Sequence, residues 1–355
     1  MSTVTATTAR SAEKFRVTRS RRNVAWTGLG ALVAVIVLER LPYIVYSGTT
    51  TILVQAFIVL TLACMWNLLA GYAGLVSVGQ QGFVGLGAYF VLIFALQGIS
   101  PFLALPLAAV CCGAAAFPLW WLVSRLRSGY FAIATWVLAA TIMLVFERIS
   151  ALGSGTGLPL PGLSGYSTTI LNADIYWAAL TVTVVALATT YLLLRGRLGL
   201  SLTAIRDDEV AARSSGVRVG LMRMIVFMIA GIGCGAAGGV LAISQLGVQP
   251  AGVFSISWTA EMAFAVIIGG LGTIEGPILG TAVFMILQQT LASYNAWYLI
   301  IFGSVAILVA LFARRGLWGL VDEYAHVRLF PVGYWLWTGD ERRRALPWRR
   351  GGRPS

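Results

Sequence analysis

The sequence predicts an all-α integral membrane protein, a polytopic bundle of about ten transmembrane helices, and three observations carry that prediction. Hydrophobic residues make up 58% of the 355 and charged residues only 11%, against roughly 25% charged in a soluble domain. The apolar residues fall into runs of about 18 to 25, each able to cross ~30 Å of hydrocarbon, and a helix satisfies the backbone of such a run where lipid offers no partner. The basic residues collect at alternate breaks, as the loops of a crossing bundle require.

The elements follow in order. A polar arm, residues 1–23, is too long a lead and lacks a small-residue cleavage site after its apolar run, so it reads as a cytosolic tail and not a removed signal peptide. Val24–Tyr46 and Thr49–Ala70 are the first two spans. Leu75–Leu96 is interrupted by Gly79, Gly82, Gly85 and Gly87 and is expected to re-enter or unwind. Pro101–Val123, Tyr130–Ile149, Ile175–Leu194 and Met222–Leu246 are the next four spans. Ser257–Leu271 and Pro277–Ala292 meet at Gly272–Gly276, a second point of expected unwinding, and Trp297–Phe312 completes a transmembrane domain over residues 24–313. The tail, residues 314–355, carries Trp335, Trp337 and Trp348 among arginines and reads as a surface anchor.

Charge sets the sidedness. The chain has 24 Arg and one Lys, gathered at Arg10–Arg22, Arg125/Arg127, Arg195–Arg223 and Arg314 onward. If all ten spans cross, these share one side, which the positive-inside rule makes the cytoplasm, with both termini there. The opposite loops, Gly98–Ser100, Gly153–Asn172 and Gly247–Ser255, carry no Arg or Lys. Orientation therefore explains the net charge of +12, and no nucleic-acid partner is expected.

Several chemistries are excluded by inventory. Cys64, Cys111, Cys112 and Cys234 lie inside apolar spans without a Cys-x-x-Cys pattern and read as small fillers, so no zinc site is expected. The single histidine, His326, lies beyond the last span, which removes His-based metal ligation and most His-dependent catalysis from the membrane. With Lys14 as the only lysine, a phosphate-binding G-x-x-x-x-G-K-[ST] loop is absent, so the chain cannot hydrolyse ATP by that route and any such energy must come from a partner. No catalytic, metal or cofactor residues are assigned. Glu39 and Glu147 are each followed by Arg near a span end. Glu261 lies close enough to an end to snorkel, and Glu275 falls in a break, a thin set for an ion-coupled carrier.

Glycine is more telling. "NLLAGYAGLVSVGQQGFVGLGAYF", Asn67–Phe90, and "VIIGGLGTIEGPILGTAVF", Val266–Phe284, are both glycine-rich, which permits close helix approach or backbone unwinding. Their placement in the two halves points to an internal repeat. Ser77, Gly79, Gln80, Gln81 and Phe83 in the first, and Gly269, Gly270, Gly272, Thr273, Glu275, Gly276 and Pro277 in the second, form a set suited to lining a path. Tight packing alone explains the glycines equally well.

"TAIRDDEVAARSSGVRVG", Thr203–Gly220, is the densest charge in the membrane region. Leu202–Ser215 contains no Pro or Gly and Gly216 is a natural C-terminal stop, so one helix of about four turns is expected over residues 202–216. Arg206, Glu209 and Arg213 would share one side, with Glu209–Arg213 an i,i+4 pair. Ala204, Ile205, Ala211, Ala212 and Ser215 would gather opposite. That face is small rather than greasy, which suits docking against protein better than lying in lipid; the alternative reading is a solvated loop whose arginines only fix orientation.

Quoted as they stand, "NLLAGYAGLVSVGQQGFVGLGAY", "LRSGYFAIATWVLAATI", "GLSGY", "GRLGLSLTAIRDDEVAARSSGVRV", "GGLGTIEGPILG" and "LFARRGLWGL" resemble the permeases of branched-chain amino-acid ABC transporters over roughly Thr49–Gly319, and "GYFAIATW" with "AIRDDEVAARSSG" resembles the LivM-type subunit. The chain departs from that family's frequent His-Ala at Gln80-Gln81 and from its usual loop at Gly153–Gly162. The resemblance implies a permease subunit in the bacterial inner membrane, working by alternating access with two cytoplasmic ATPases, a second permease and an extracytoplasmic binding protein. It also implies that Thr203–Gly216 is the coupling helix, with Arg206, Asp207, Glu209 and Arg213 at the rim of the ATPase groove. An importer of urea or short amides, and an ion-coupled secondary carrier, are the alternative readings.

Overall fold

The computed structural model describes residues 16–18, 21–43, 47–126, 129–163, 166–291, 301, 303–304, 307, 311, 316–325 and 335–337. Its long helices are α1 (Arg21–Arg40), α2 (Ser47–Asn67), α3 (Gln81–Leu96), α4 (Pro101–Val123), α5 (Gly129–Arg148), α6 (Thr168–Arg195), α9 (Val219–Ser244), α11 (Ile256–Gly269) and α12 (Glu275–Leu291). Between α6 and α9 lie the short helices α7 (Arg197–Asp207) and α8 (Glu209–Ser214), and α10 (Pro250–Val253) precedes α11. After α12 comes α13 (Gly316–Ala325).

Six described stretches are long and apolar enough to cross a membrane: Gly48–Tyr72, Pro101–Val123, Gly129–Arg148, Thr168–Arg195, Val219–Ser244 and Pro250–Gly269. The expected span Leu75–Leu96 is corrected to α3, whose 16 residues reach only ~24 Å, because Leu75–Gln80 is not helical. The span expected from Ile175 begins earlier, at Thr168, where the Ser167 side chain accepts the Ile170 N–H at 3.4 Å and caps the first turn. Ser100 caps α4 in the same way, accepting from Leu103. The expected span Trp297–Phe312 lies largely outside the described residues, of which Ile301, Gly303–Ser304, Ile307 and Leu311 are helical.

The core is organised around α2, with 72% of its apolar window buried. Helices α3 and α9 cross at backbone distance: a Cβ on Gly87 would strike the Gly235 carbonyl, and one on Gly238 the Val84 carbonyl. Without a hydrophobic drive between helices in lipid, such small-residue contacts supply the van der Waals packing that holds a bundle. Around them Phe83, Phe131 and Trp120 pack against Phe227.

The loops form two groups. At one end Gly155 lies near Glu147, Gly162 near Pro101 and Gly157 against Val248. There the two-residue strands β2 (Leu158–Pro159) and β3 (Gly247–Val248) pair antiparallel, Leu158 opposite Val248. At the other end Arg206 and Gly316 approach the break between α11 and α12. Strand β1 (Arg16–Thr18) pairs antiparallel with β4 (Trp335–Trp337), so Trp335 and Trp337 join the N-terminal arm.

Candidate functional site: two glycine breaks and the segment beneath them

A side-chain amide at the end of an apolar helix must find partners or lose several kcal/mol, roughly, in a dry environment. Asn67, 1% exposed, finds them across the fold. Its Oδ1 accepts the Gly272 N–H at 2.9 Å and its Nδ2 donates to the Thr273 carbonyl at 2.7 Å. The second glycine stretch unwinds as expected; in the first, the break falls over residues 73–80, and of Gly79, Gly82, Gly85 and Gly87 only Gly79 lies in it, the other three being helical in α3. After Asn67 the helix widens into a π turn, Leu68–Tyr72, and Gly74 takes φ +68°, a region closed to most L residues. In the second break Gly270 and Gly272 have φ of +137° and +76°, and the Thr273 hydroxyl donates to Gly270 O at 2.8 Å while accepting from Gly276 N at 3.0 Å.

The two breaks touch. A Cβ on Gly71 would fall 2.7 Å from Gly272 N and 2.9 Å from Gly272 Cα. Gly269 lies against the Gly276 carbonyl and Gly276 against the Gly270 carbonyl, so α11 and α12 close as a tight hairpin. Pro277 and Glu275 are buried in its second arm.

From the π turn to α3 the backbone is irregular and is held by side chains. Trp66 donates its indole N–H to Ser77 O at 2.9 Å, and Val78 N–H reaches the Thr135 hydroxyl at 3.3 Å. Gln80 donates to Ser77 Oγ at 3.3 Å and accepts from the Cys234 thiol at 3.4 Å. Gln81 accepts from the Thr259 hydroxyl. Ser77, Gln80, Gln81 and Phe83 are all at most 4% exposed. The void beside Ser77, Gly79 and Phe83 measures only about 10 Å³, close to the volume of one water probe. Ser77 and Gln80 bond to each other, while Gln81 is bonded to Thr259. An open, mostly apolar groove of about 910 Å³ lies elsewhere, between α4, α6 and α9 over Met65 and Gly233.

The single helix expected over residues 202–216 is corrected to two. Asp208 is extended, with φ −156° and ψ 110°, and its carboxylate accepts Val210 N–H at 2.8 Å and Ala211 N–H at 3.1 Å. An aspartate that caps a new helix ends the old one, since capping geometry is not helical. The face assignment changes with it. Ala212 and Ile205 are each 3% exposed and pack inward with Val219, and Ala204 is half-buried beside them. Val210, 77% exposed, and Ala211 face outward with Ser215 and Gly216.

The expected Glu209–Arg213 pair is present at 2.6 Å, and Arg223 of α9 adds a second contact at 3.0 Å. Burial alone would raise the Glu209 carboxyl, but Arg223 and then Arg213 outweigh it and hold it below the ordinary carboxylate range. Arg206 does not join this group: its guanidinium occupies the space a Cβ on Gly272 would take. Asp207 is exposed.

Four contributors went unread in the sequence: Asn67, Thr135, Thr259 and Arg223. Asn67 had a visible signal, an amide closing a helix otherwise apolar. Cys234 does more than fill space, since its thiol meets Gln80. Glu261, expected to snorkel, instead encloses one carboxylate oxygen without a hydrogen-bond partner among the described residues.

Residues 48–310 match the family described as branched-chain amino acid transport system, permease component. The chain is 29% identical over 314 residues to the high-affinity branched-chain amino acid transport system permease protein LivM of Escherichia coli (strain K12), covering 81% of this chain and 74% of that protein. It is 27% identical over 303 residues to the LivM protein of Salmonella typhimurium, covering 78% and 71%. With the guanosine ABC transporter permease protein NupQ of Bacillus subtilis it shares 27% over 204 residues, 52% of this chain and 63% of that one. No solved structure matches the chain. The matched residues take in both glycine breaks, the buried glutamines and the α7–α8 segment, and the chain belongs to the family of branched-chain amino acid transport system permease components.

Proposed function

We propose that the chain is the permease subunit of an ABC importer for branched-chain amino acids in the bacterial cytoplasmic membrane, both termini cytoplasmic. It would work with a second permease, two ATPases and an extracytoplasmic binding protein. Substrate crosses by alternating access, and the chain itself makes or breaks no bond. The observation that carries this reading is the shape of the α7–α8 segment, with Ile205 and Ala212 anchored inward and Val210 and Ala211 outward. A short helix pinned on one side and small on the other is built to be pressed by a partner. Ser77, Gln80 and Gln81 would part to admit an amino acid's carboxylate and ammonium, since unwound helix ends present free backbone groups. The LivM relatives favour branched-chain amino acids over the nucleoside named for NupQ, because they align over more of the chain at similar identity.

The test is reconstitution with the candidate partners. Ala211→Trp is expected to abolish co-purification of the ATPases with membrane insertion intact, and Gln80→Ala with Gln81→Ala to lower leucine uptake at normal expression. Normal co-purification of the Trp variant, or ion-driven uptake by the chain alone, would refute the reading; guanosine uptake in place of leucine would reassign the substrate.

A further inference from the structure

Three segments distant in sequence converge on the break between α11 and α12. From the end of α2, Gly71 abuts Gly272 and Asn67 grips the same backbone through two hydrogen bonds; Gly316, at the start of α13 with φ +68°, would place a Cβ 2.4 Å from Gly270 Cα. The third is Arg206, whose guanidinium lies against Gly272 from the last turn of α7. It is the one member belonging to the segment that faces outward, and Tyr72 at the end of the π turn stands within electrostatic range of both Arg206 and Glu275.

The mechanical logic is short. Interlocked backbones without intervening side chains have little slack, because packed interiors transmit displacement instead of absorbing it. The same break is tied through Asn67 to α2, whose continuation is the non-helical segment that holds Ser77 and Gln80. A push on α7 therefore has a route to the buried amides, and its first link is the exposed Arg206 side chain, its guanidinium set against Gly272. Glycine at 272 serves twice, by its positive φ and by leaving room for the guanidinium.

We propose that Arg206 is a positioning residue that transmits movement of the α7–α8 segment to the paired glycine breaks, and so opens the polar cluster at Ser77, Gln80 and Gln81. It acts without touching substrate. This proposal rests on the importer reading, but it assigns Arg206 inward, to coupling, and not to the rim of an ATPase groove.

The experiment uses the assembled transporter in proteoliposomes, with the wild type first shown to take up substrate on ATP; failure at that step sinks the importer reading and not this one alone. Arg206→Ala is then expected to keep its ATPases at wild-type stoichiometry and its basal hydrolysis within about two-fold. Uptake should fall about ten-fold or more, and stimulation of hydrolysis by loaded binding protein should be lost. Arg206→Lys, which restores a long cationic stem, is expected to recover uptake to within about three-fold. Uptake and stimulation both within two-fold of wild type would overturn the proposal. Loss of the ATPases would make Arg206 a docking residue, and absence of the variant from the membrane a folding residue; either result overturns it as well.

Discussion

Asn67 and Gly272 are separated by 205 residues, yet the amide oxygen of one accepts the backbone N–H of the other at 2.9 Å. Its nitrogen is spent at the same time on Thr273 O. A buried donor or acceptor stripped of its partner costs about 1–3 kcal/mol, and Asn67→Leu strips one of each. The variant is expected to unfold several degrees below wild type in detergent, read by the thermal shift of intrinsic tryptophan fluorescence. An unchanged midpoint would mean that the two breaks do not depend on the staple.

Gly71→Ala and Gly220→Ala form a matched pair. The first places a methyl group within 3 Å of Gly272 backbone, whereas the second meets nothing within 4 Å. Backbone cannot rotate away as a side chain can, so Gly71→Ala should lower both the yield of folded protein and its thermal midpoint. Gly220→Ala, in the first turn of α9, should be neutral or stabilise by about 0.4–1 kcal/mol. Equal behaviour of the two in a size-exclusion and melting assay would contradict the close approach.

Glu209 makes the α7–α9 junction sensitive to acid. Its folded-state carboxyl titrates below the ordinary range because Arg223 and Arg213 outweigh its partial burial. For a depressed carboxyl the stabilisation is complete above the unfolded-state value and is lost as pH falls through the folded one. Amide exchange over residues 203–216, corrected for intrinsic rates, is therefore expected to be flat around neutral pH and to accelerate below the normal carboxylate range. Glu209→Gln should exchange faster at neutral pH and lose that acid limb. A variant that kept the limb would assign it to Asp207 or Asp208.

The fold class was legible because hydrophobic run length is a one-dimensional property, and the described long helices match the expected runs to within a few residues except at the end of α1, at α3 and at the start of α6. Glycine at Gly272 also announced the second break, since its conformational freedom is local, whereas the first break lies upstream of Gly82, Gly85 and Gly87, which stay helical in α3. Partnership was not legible. Nothing near Gln81 in sequence names Thr259, and nothing near Glu209 names Arg223, 14 residues on, because such pairs are fixed by how helices cross. The α7–α8 segment shows the limit from the other side. Helical spacing was read through Asp208, yet three consecutive acids, Asp207, Asp208 and Glu209, hold the signal for a second helix start, which needs a carboxylate at its cap and another in its first turn.

The short β2–β3 ladder bears on what the opposite end of the molecule can do. Leu158 and Pro159 are laced to Val248 and Gly247, and the Leu160 N–H extends the seam to Leu246 O at 2.9 Å. The loop leaving α5 and the loop leaving α9 are thereby sewn into one plate. A plate of this kind tilts as a whole and does not part along its own seam. Any aperture at that end has to form at the plate's margin, between this chain and whatever stands beside it, while the glycine junction at the far end is where the chain can yield within itself.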